Sequence, residues 1–215
     1  MSQERPPRPP SDGPERMDTR DLALQAKGGD SARFAELYER IAPSLYTWAD
    51  LRIRPELRQW IDPGDVVQEV WCRAWRAFDG FDAANTSFRF WVFRIAKNVL
   101  LEAFRKLDNP TYKARSRDAS SRALELVDVP DSATAVSRRV SKDESLKLVA
   151  KWVASLDEED RMLLIHHGLE GLTQAEVAER LQLGRETVAK RWQRLCARIA
   201  EQKLPRELFA ALEAS

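Results

Sequence analysis

The chain has 215 residues, 43% hydrophobic and 32% charged, with a formal net charge of +1. That balance describes a globular chain and excludes polyanion binding by bulk charge, so any nucleic-acid surface must be a local cluster of Lys and Arg. Two cysteines exclude a disulfide framework, and no apolar run approaches the ~20 residues that span a bilayer. With no secretory leader visible, the expected location is the cytoplasm, with no membrane insertion of its own.

Residues 1–17 are rich in Pro, Arg, Asp and Ser and are expected to be disordered. A short helix over 19–27 should stop at Gly28-Gly29, and Asp30 can cap the next one. Phe34, Leu37, Tyr38, Ile41, Leu45 and Trp48 then recur at helical spacing, with Pro43 expected to break or kink the run. The stretch 51–61 receives no role.

Asp62-Pro63-Gly64-Asp65 is a strong helix start, with Asp as cap, Pro at the first helical position and Asp in the first turn. Val66, Val67, Val70, Ala74 and Phe78 should face the core, while Asp65, Gln68, Glu69, Cys72 and Arg76 project elsewhere. A polar loop over 79–87 follows. The next helix, to about Lys106, interleaves aromatics with bases. Phe88, Trp91, Val92, Ile95, Val99 and Ala103 form its apolar stripe. Phe90, Arg94, Lys97, Leu101 and Arg105 lie opposite, with Asn98 at the edge, a combination suited to stacking bases and meeting phosphates of a single strand.

Periodicity fails from 107 to about 141, as in a flexible linker with a weak apolar patch at 124–129. It returns with Leu146, Val149, Val153 and Leu156, followed by a helix over 157–167. The stretch 172–199 then reads as two helices around a tight turn. Thr173 and Glu176 make a capping box, and Leu172/Val177 and Leu183/Val188 are spaced as hydrophobic staples. Gly184 is expected to supply backbone freedom at the second helix start. That helix carries Val188, Trp192, Leu195 and Ile199 on one stripe, and Glu186, Thr187, Lys190 and Arg194 on the other, with Arg191 on the flank. A tight turn before a helix with a basic outer face is the pattern of a helix-turn-helix DNA reader.

The expected architecture is therefore all-α: a tail at 1–17, a helical domain at 18–107, a linker at 108–141, a helix-turn-helix domain at 142–204 and a short C-terminal tail at 205–215. No catalytic set is discernible, and an enzyme is not expected. Asp65 and Glu69 lie one turn apart but lack a nearby His or an apolar pocket. His166 and His167 point in different directions with no third metal ligand in range, and no cofactor is implied. A conventional activator or repressor with a helical effector domain would explain the second domain equally well, but not the aromatic–basic helix of the first.

The segments KGGDSARFAELYERIAPSL, DPGDVVQEVWCRAWRAFDGFD and FRFWVFRIAKNVLLEAFRK resemble region two of the extracytoplasmic-function sigma factors, promoter-specificity subunits of bacterial RNA polymerase. SLDEEDRMLLIHHGLEGLTQAEVAERLQLGRETVAKRWQRL resembles their region four, and the likeness runs from about 21 to 202. Gln182 and Gly184 stand where the family often has Gly and Ser, and the stretch 51–61 is longer than in its simplest members. The resemblance implies that Asp65, Gln68 and Glu69 bind core RNA polymerase. It implies that the loop with Phe81 and Asn85, and the helix face with Phe90, Arg94, Lys97, Asn98 and Arg105, engage the −10 element and hold a flipped non-template base. It assigns the −35 element of promoter DNA to Arg185, Glu186, Thr187, Lys190, Arg191 and Arg194. It threads the linker through the polymerase channel, and it implies an anti-sigma factor as partner.

Overall fold

The computed structural model describes residues 19–27, 30–83, 85–108 and 131–209. The tail at 1–17 and the apolar patch at 124–129 lie outside them. Among the described residues every regular element is helical.

The first bundle is built on α1 (Thr19–Lys27), α2 (Ser31–Arg52), α3 (Pro63–Ala77) and α4 (Phe88–Asp108). Asp30 starts α2 by accepting from the backbone N–H of Ala32 at 3.0 Å and of Arg33 at 3.2 Å. Asp62 does the same for α3 at Gly64, at 2.7 Å. Each bond satisfies a donor that the helix itself leaves orphaned. The core is aromatic. Phe34 meets Trp71, Trp75 and Phe78 edge-on with centroids 4.8, 4.9 and 4.7 Å away, and the Tyr38 hydroxyl donates to the Val67 carbonyl. Such edge-to-face pairs contribute about 0.5–1.5 kcal/mol each beyond their burial.

Two expectations change here. Pro43 does not interrupt α2, which runs unbroken from Ser31 to Arg52. The carbonyl that loses its helical partner belongs to Glu39, an exposed residue, so the missing bond falls on the wet side. Cys72 is buried beside the apolar stripe of α3. Within the stretch read as a tether, Asp131–Ser141 forms a helix, α5, that lies against α2 and α3 and buries Val136 and Val140. Those valines, one turn apart among Ser and Arg, are too short a stripe to stand out in the sequence.

The second bundle contains α6 (Glu144–Ala154), α7 (Glu158–Leu163), a π-helical turn (Leu164–Leu169), α8 (Gln174–Leu181) and α9 (Arg185–Glu201). The expected single helix over 157–167 is thus α-helical only at its start. The wider turn brings the Glu170 N–H to the Ile165 carbonyl at 2.9 Å. Around it, a Cβ placed on Gly168 would come within 3.2 Å of Phe209 and 3.3 Å of Trp192, so the close packing favours glycine. The capping box forms: Glu176 N–H donates to Thr173 Oγ1 at 3.3 Å, and Thr173 N–H to Glu176 Oε2 at 2.7 Å. The freedom assigned to Gly184 is used elsewhere. Gly184 is extended at φ −68°, whereas Gln182 turns the chain at φ 55° in the left-handed region, at a cost of about 1 kcal/mol.

The two bundles touch. α2 lies against α6 and the π-helical turn, and the C-terminal residues insert between them. Ser44 Oγ donates to the Leu208 carbonyl at 2.7 Å, and Leu208 and Phe209 are fully buried. The stretch from 205 to 209, read as the start of a short tail, is a strap across the domain boundary.

Candidate nucleic-acid interface

The outer face of α9 is what its sequence pattern requires. Val188, Trp192, Leu195 and Ile199 are buried, which turns Arg185, Glu186, Thr187, Lys190 and Arg194 outward, and all of these are exposed. Glu186 and Lys190 pair along the helix at 2.6 Å. Arg191 departs from the set. Its guanidinium donates to Asp160 at 2.8 Å, pairs with Glu159, and lies 3.5 Å from Asp157, leaving its side chain 22% exposed. Arg198 reaches the same Asp160 at 3.3 Å. The hydrogen bond to Asp160, with the surrounding carboxylates, pushes the Arg191 pKa up despite its burial. Arg191 is a brace from α9 to the start of α7.

In the first bundle, Phe90, Arg94, Asn98 and Arg105 are exposed on α4, Phe90 at 41%. Ser87 Oγ accepts from the Phe90 N–H at 3.2 Å and fixes the helix start. Asn85 is exposed in the preceding loop, its amide donating to Asp82 at 2.8 Å. Phe81 faces inward. It is 1% exposed, stacked on Phe78 at 5.8 Å and packed against Trp91 at 4.9 Å. Its ring holds the loop to the core.

Asp65 is exposed on α3, with Gln68 and Glu69 half-buried beside it. Glu69 already accepts from Arg73 Nε at 2.6 Å. The same Arg73 forks onto both oxygens of Glu102 at 2.9 and 2.7 Å, tying α3 to α4. The sequence reading did not single out Arg73.

Lys97 is held by the other domain. Its Nζ lies 2.7 Å from Oε2 of Glu170, a fully buried carboxylate just past the π-helical turn. Trp48 Nε1 donates to Oε1 at 2.8 Å and Arg52 to the same oxygen at 3.1 Å, while His166 Nδ1 is 3.0 Å from Oε2. Burial by itself would raise the Glu170 pKa. The donors from His166, Lys97 and Trp48 outweigh it and hold the carboxyl down to about 2. Arg89 adds a bond to the Leu169 carbonyl at 3.0 Å. Sequence reasoning missed Glu170. Its only signal was a lone carboxylate between Leu169 and Gly171 in a segment read as a turn.

Comparison with known proteins bears on both bundles. The sigma-70 region 2 family matches residues 37–109, and the sigma-70 region 4 family residues 147–199. The RNA polymerase sigma factor CnrH of Cupriavidus metallidurans is 31% identical over 182 residues, covering 83% of this chain and 91% of that protein. The chain belongs to the extracytoplasmic-function sigma factors. Its activity is to direct promoter-specific transcription initiation by RNA polymerase, and a conventional activator or repressor is set aside. The ECF RNA polymerase sigma-E factor of Escherichia coli is 30% identical over 123 residues, 54% of this sigma factor and 61% of that one. A solved structure of CnrH in complex with the cytosolic domain of CnrY covers 86% of this chain and 97% of that chain, at 26% identity and a TM-score of 0.40. Among the described residues no helix of the sigma factor is long and apolar enough to cross a membrane.

Proposed function

We propose that this sigma factor divides promoter recognition between the outer faces of α4 and α9. Arg185, Glu186, Thr187, Lys190 and Arg194 enter the major groove of the −35 element, where Arg and Lys meet guanine edges or phosphates and Glu accepts from cytosine. The observation that carries this reading is the uniform outward exposure of those residues on a helix whose opposite face is fully buried. Phe90, Arg94, Lys97, Asn98 and Arg105, with Asn85 in the loop, meet the opened −10 strand. An exposed aromatic among cations supports stacking of an unpaired base. Asp65, Gln68 and Glu69 dock on the core polymerase, with Arg73 orienting Glu69. Residues 18–107 and 142–204 act as the two promoter-contacting domains, with α5 extending the first. The protein works in the cytoplasm, where its polymerase is. It is held in check by an anti-sigma factor, a partner class suggested by the CnrY domain bound to CnrH.

Reconstitution with core polymerase on matched duplex and bubble templates tests the division. Replacing Arg94 or Asn85 should impair initiation from duplex, and pre-melting the −10 region should relieve defects that arise in strand opening. Replacing Lys190 or Arg194 should impair initiation in a way that −10 melting does not specifically relieve. First-domain variants that respond only to changes in the −35 duplex would overturn the division.

A further inference from the structure

We propose that Trp48, Arg52 and Lys97 form a binding site for a DNA backbone phosphate on the first domain, and that Glu170 of the second domain occupies it in the closed arrangement. The proposal rests on the reading above that this side of α4 meets opened promoter DNA.

Three donors from two helices converge on one anion. The Trp48 indole N–H and the Arg52 guanidinium, one turn apart on α2, reach Oε1 at 2.8 and 3.1 Å. Lys97 on α4 reaches Oε2 at 2.7 Å. Two cations and a neutral donor around two anionic oxygens is the chemistry that binds a phosphodiester as readily as a carboxylate. The cradle is built from within the first domain. Trp48 sits edge-on to Phe93 at 5.8 Å, and the Arg52 guanidinium lies over the Trp48 ring at 5.8 Å. Trp48 and Arg52 are therefore positioned in part by contacts within the first domain. The carboxylate also leaves a donor unused: Arg52 Nε is buried with no hydrogen-bond partner. A tetrahedral phosphate group, with ester oxygens besides its two anionic ones, offers acceptors that a planar carboxylate lacks.

The same geometry makes closure and DNA binding exclusive. Lys97 cannot face Glu170 and a strand at once. The neighbouring strap, in which Leu208 and Phe209 are buried and Arg89 and Ser44 bond the Leu208 carbonyl at 3.4 and 2.7 Å, ties the C-terminal residues to α2 and α4 in the same arrangement. Glu170 is therefore a stand-in for phosphate carried by the domain that must move away before the first domain can grip an opened strand.

The test titrates the full chain against a fluorescent short oligothymidylate at several salt concentrations, since a phosphate contact carries no sequence information. Glu170→Gln, which keeps the side chain's shape and removes its charge, should raise affinity about tenfold. Leu208→Ser with Phe209→Ser loosens the strap without touching the carboxylate or the cradle, and should shift affinity in the same direction. Adding Arg52→Gln to Glu170→Gln should abolish the gain and lower the slope of log K against log salt by about 0.7, the share of one phosphate on a single strand. Arg94→Gln in the same background reports on α4 independently of the cradle. Binding that responds to Arg94→Gln but not to Arg52→Gln overturns the phosphate site and leaves the reading of α4 standing. Binding that responds to neither, or its absence throughout, overturns both. Equal affinity of the unmodified chain and Glu170→Gln, with spin-label distances showing the domains apart in the variant, overturns the competition.

Discussion

The outer faces of α4 and α9 differ in what they do while no DNA is present. On α9 the residues offered to the groove touch solvent or one another, as Glu186 and Lys190 do at 2.6 Å. On α4 the face is shared. Phe90, Arg94, Asn98 and Arg105 are exposed, but Lys97 is spent on a carboxylate of the other domain. A helix that reads duplex DNA from outside can be ready in advance. The α4 face lies next to apolar core, and the second domain covers part of it. The difference lies in packing: α9 buries one stripe, whereas α4 is enclosed by α2, α3 and the second bundle.

The largest effect that would break this comparison concerns Phe81. Its ring lies among Phe78, Phe88 and Trp91. Phe81→Ala should cost about 3–5 kcal/mol of stability, as large-to-small changes in aromatic cores do, with a lower melting temperature and lower denaturant midpoint. Unchanged stability with a −10 defect would return Phe81 to the DNA-facing surface and make the α4 side resemble α9.

Next is acid. Glu170 is faced by Lys97, Arg52 and Trp48 from the first domain and by His166 and, at 4.0 Å, Arg180 from its own. Its pKa in the closed form is about 2 against an ordinary 4.5, so ionisation favours closure. That contribution is complete above about 4.5 and is lost as pH falls toward 2, with an upper bound on the order of 3 kcal/mol. Spin-label distances across the domains should show a closure advantage of the unmodified chain over Glu170→Gln that is constant at neutral pH and shrinks below pH 4.5. A difference that instead grew with acidity would contradict the role of the carboxylate.

How much of this was legible in the sequence follows from the same packing argument. The stripe on α9 and the capping box at Thr173 and Glu176 were plain, because a helix with one buried face keeps a clean 3.6-residue period. On α4 the period is smeared. Phe93, Ala96 and Leu100 are buried beside the expected Phe88, Trp91, Val92 and Val99, so an aromatic–basic helix could be recognised but its open side could not be bounded. Pro43 does not break α2 because a helix tolerates the missing donor where the freed carbonyl faces water. Arg191 and Glu170 were illegible for one shared reason. Their partners on distant elements are 31–34 and 73–122 residues away, and local spacing carries no trace of a long-range ion pair.

Smaller effects separate residues within α9. Arg194→Ala or Lys190→Ala should cost about 1–3 kcal/mol if the side chain reads a base, with preference relaxed at one position of the −35 element. If it meets a phosphate, binding should weaken alike on all sequences and the salt slope fall by about one unit. Arg191→Ala should do neither directly. Its loss releases Asp157, Glu159 and Asp160 at the start of α7, so the second domain should melt earlier while the salt slope on DNA stays unchanged. A slope that fell with Arg191→Ala would put that side chain on the DNA.

The smallest expected effect is the most discriminating for α9. Glu186 pairs with Lys190 one turn on, and exposed pairs at this spacing contribute about 0.3–0.5 kcal/mol. Glu186 also lies in the first turn of the helix, where a carboxylate is favoured by the helix dipole. Glu186→Gln should therefore destabilise the free domain slightly. On DNA two outcomes of opposite sign compete. If Glu186 only neutralises Lys190, removing its charge frees the lysine, takes a negative group away from the phosphates, and strengthens binding to every sequence alike. If Glu186 accepts from the exocyclic amine of a cytosine, binding weakens only on sequences that carry that base. Competition between −35 duplexes differing at single positions distinguishes the two. A uniform gain makes Glu186 a tether that sets the readiness of Lys190. A loss confined to one position makes it a reader, and then the charged pair on the free α9 face is a resting contact that DNA breaks, the small counterpart of Lys97 and Glu170 on α4.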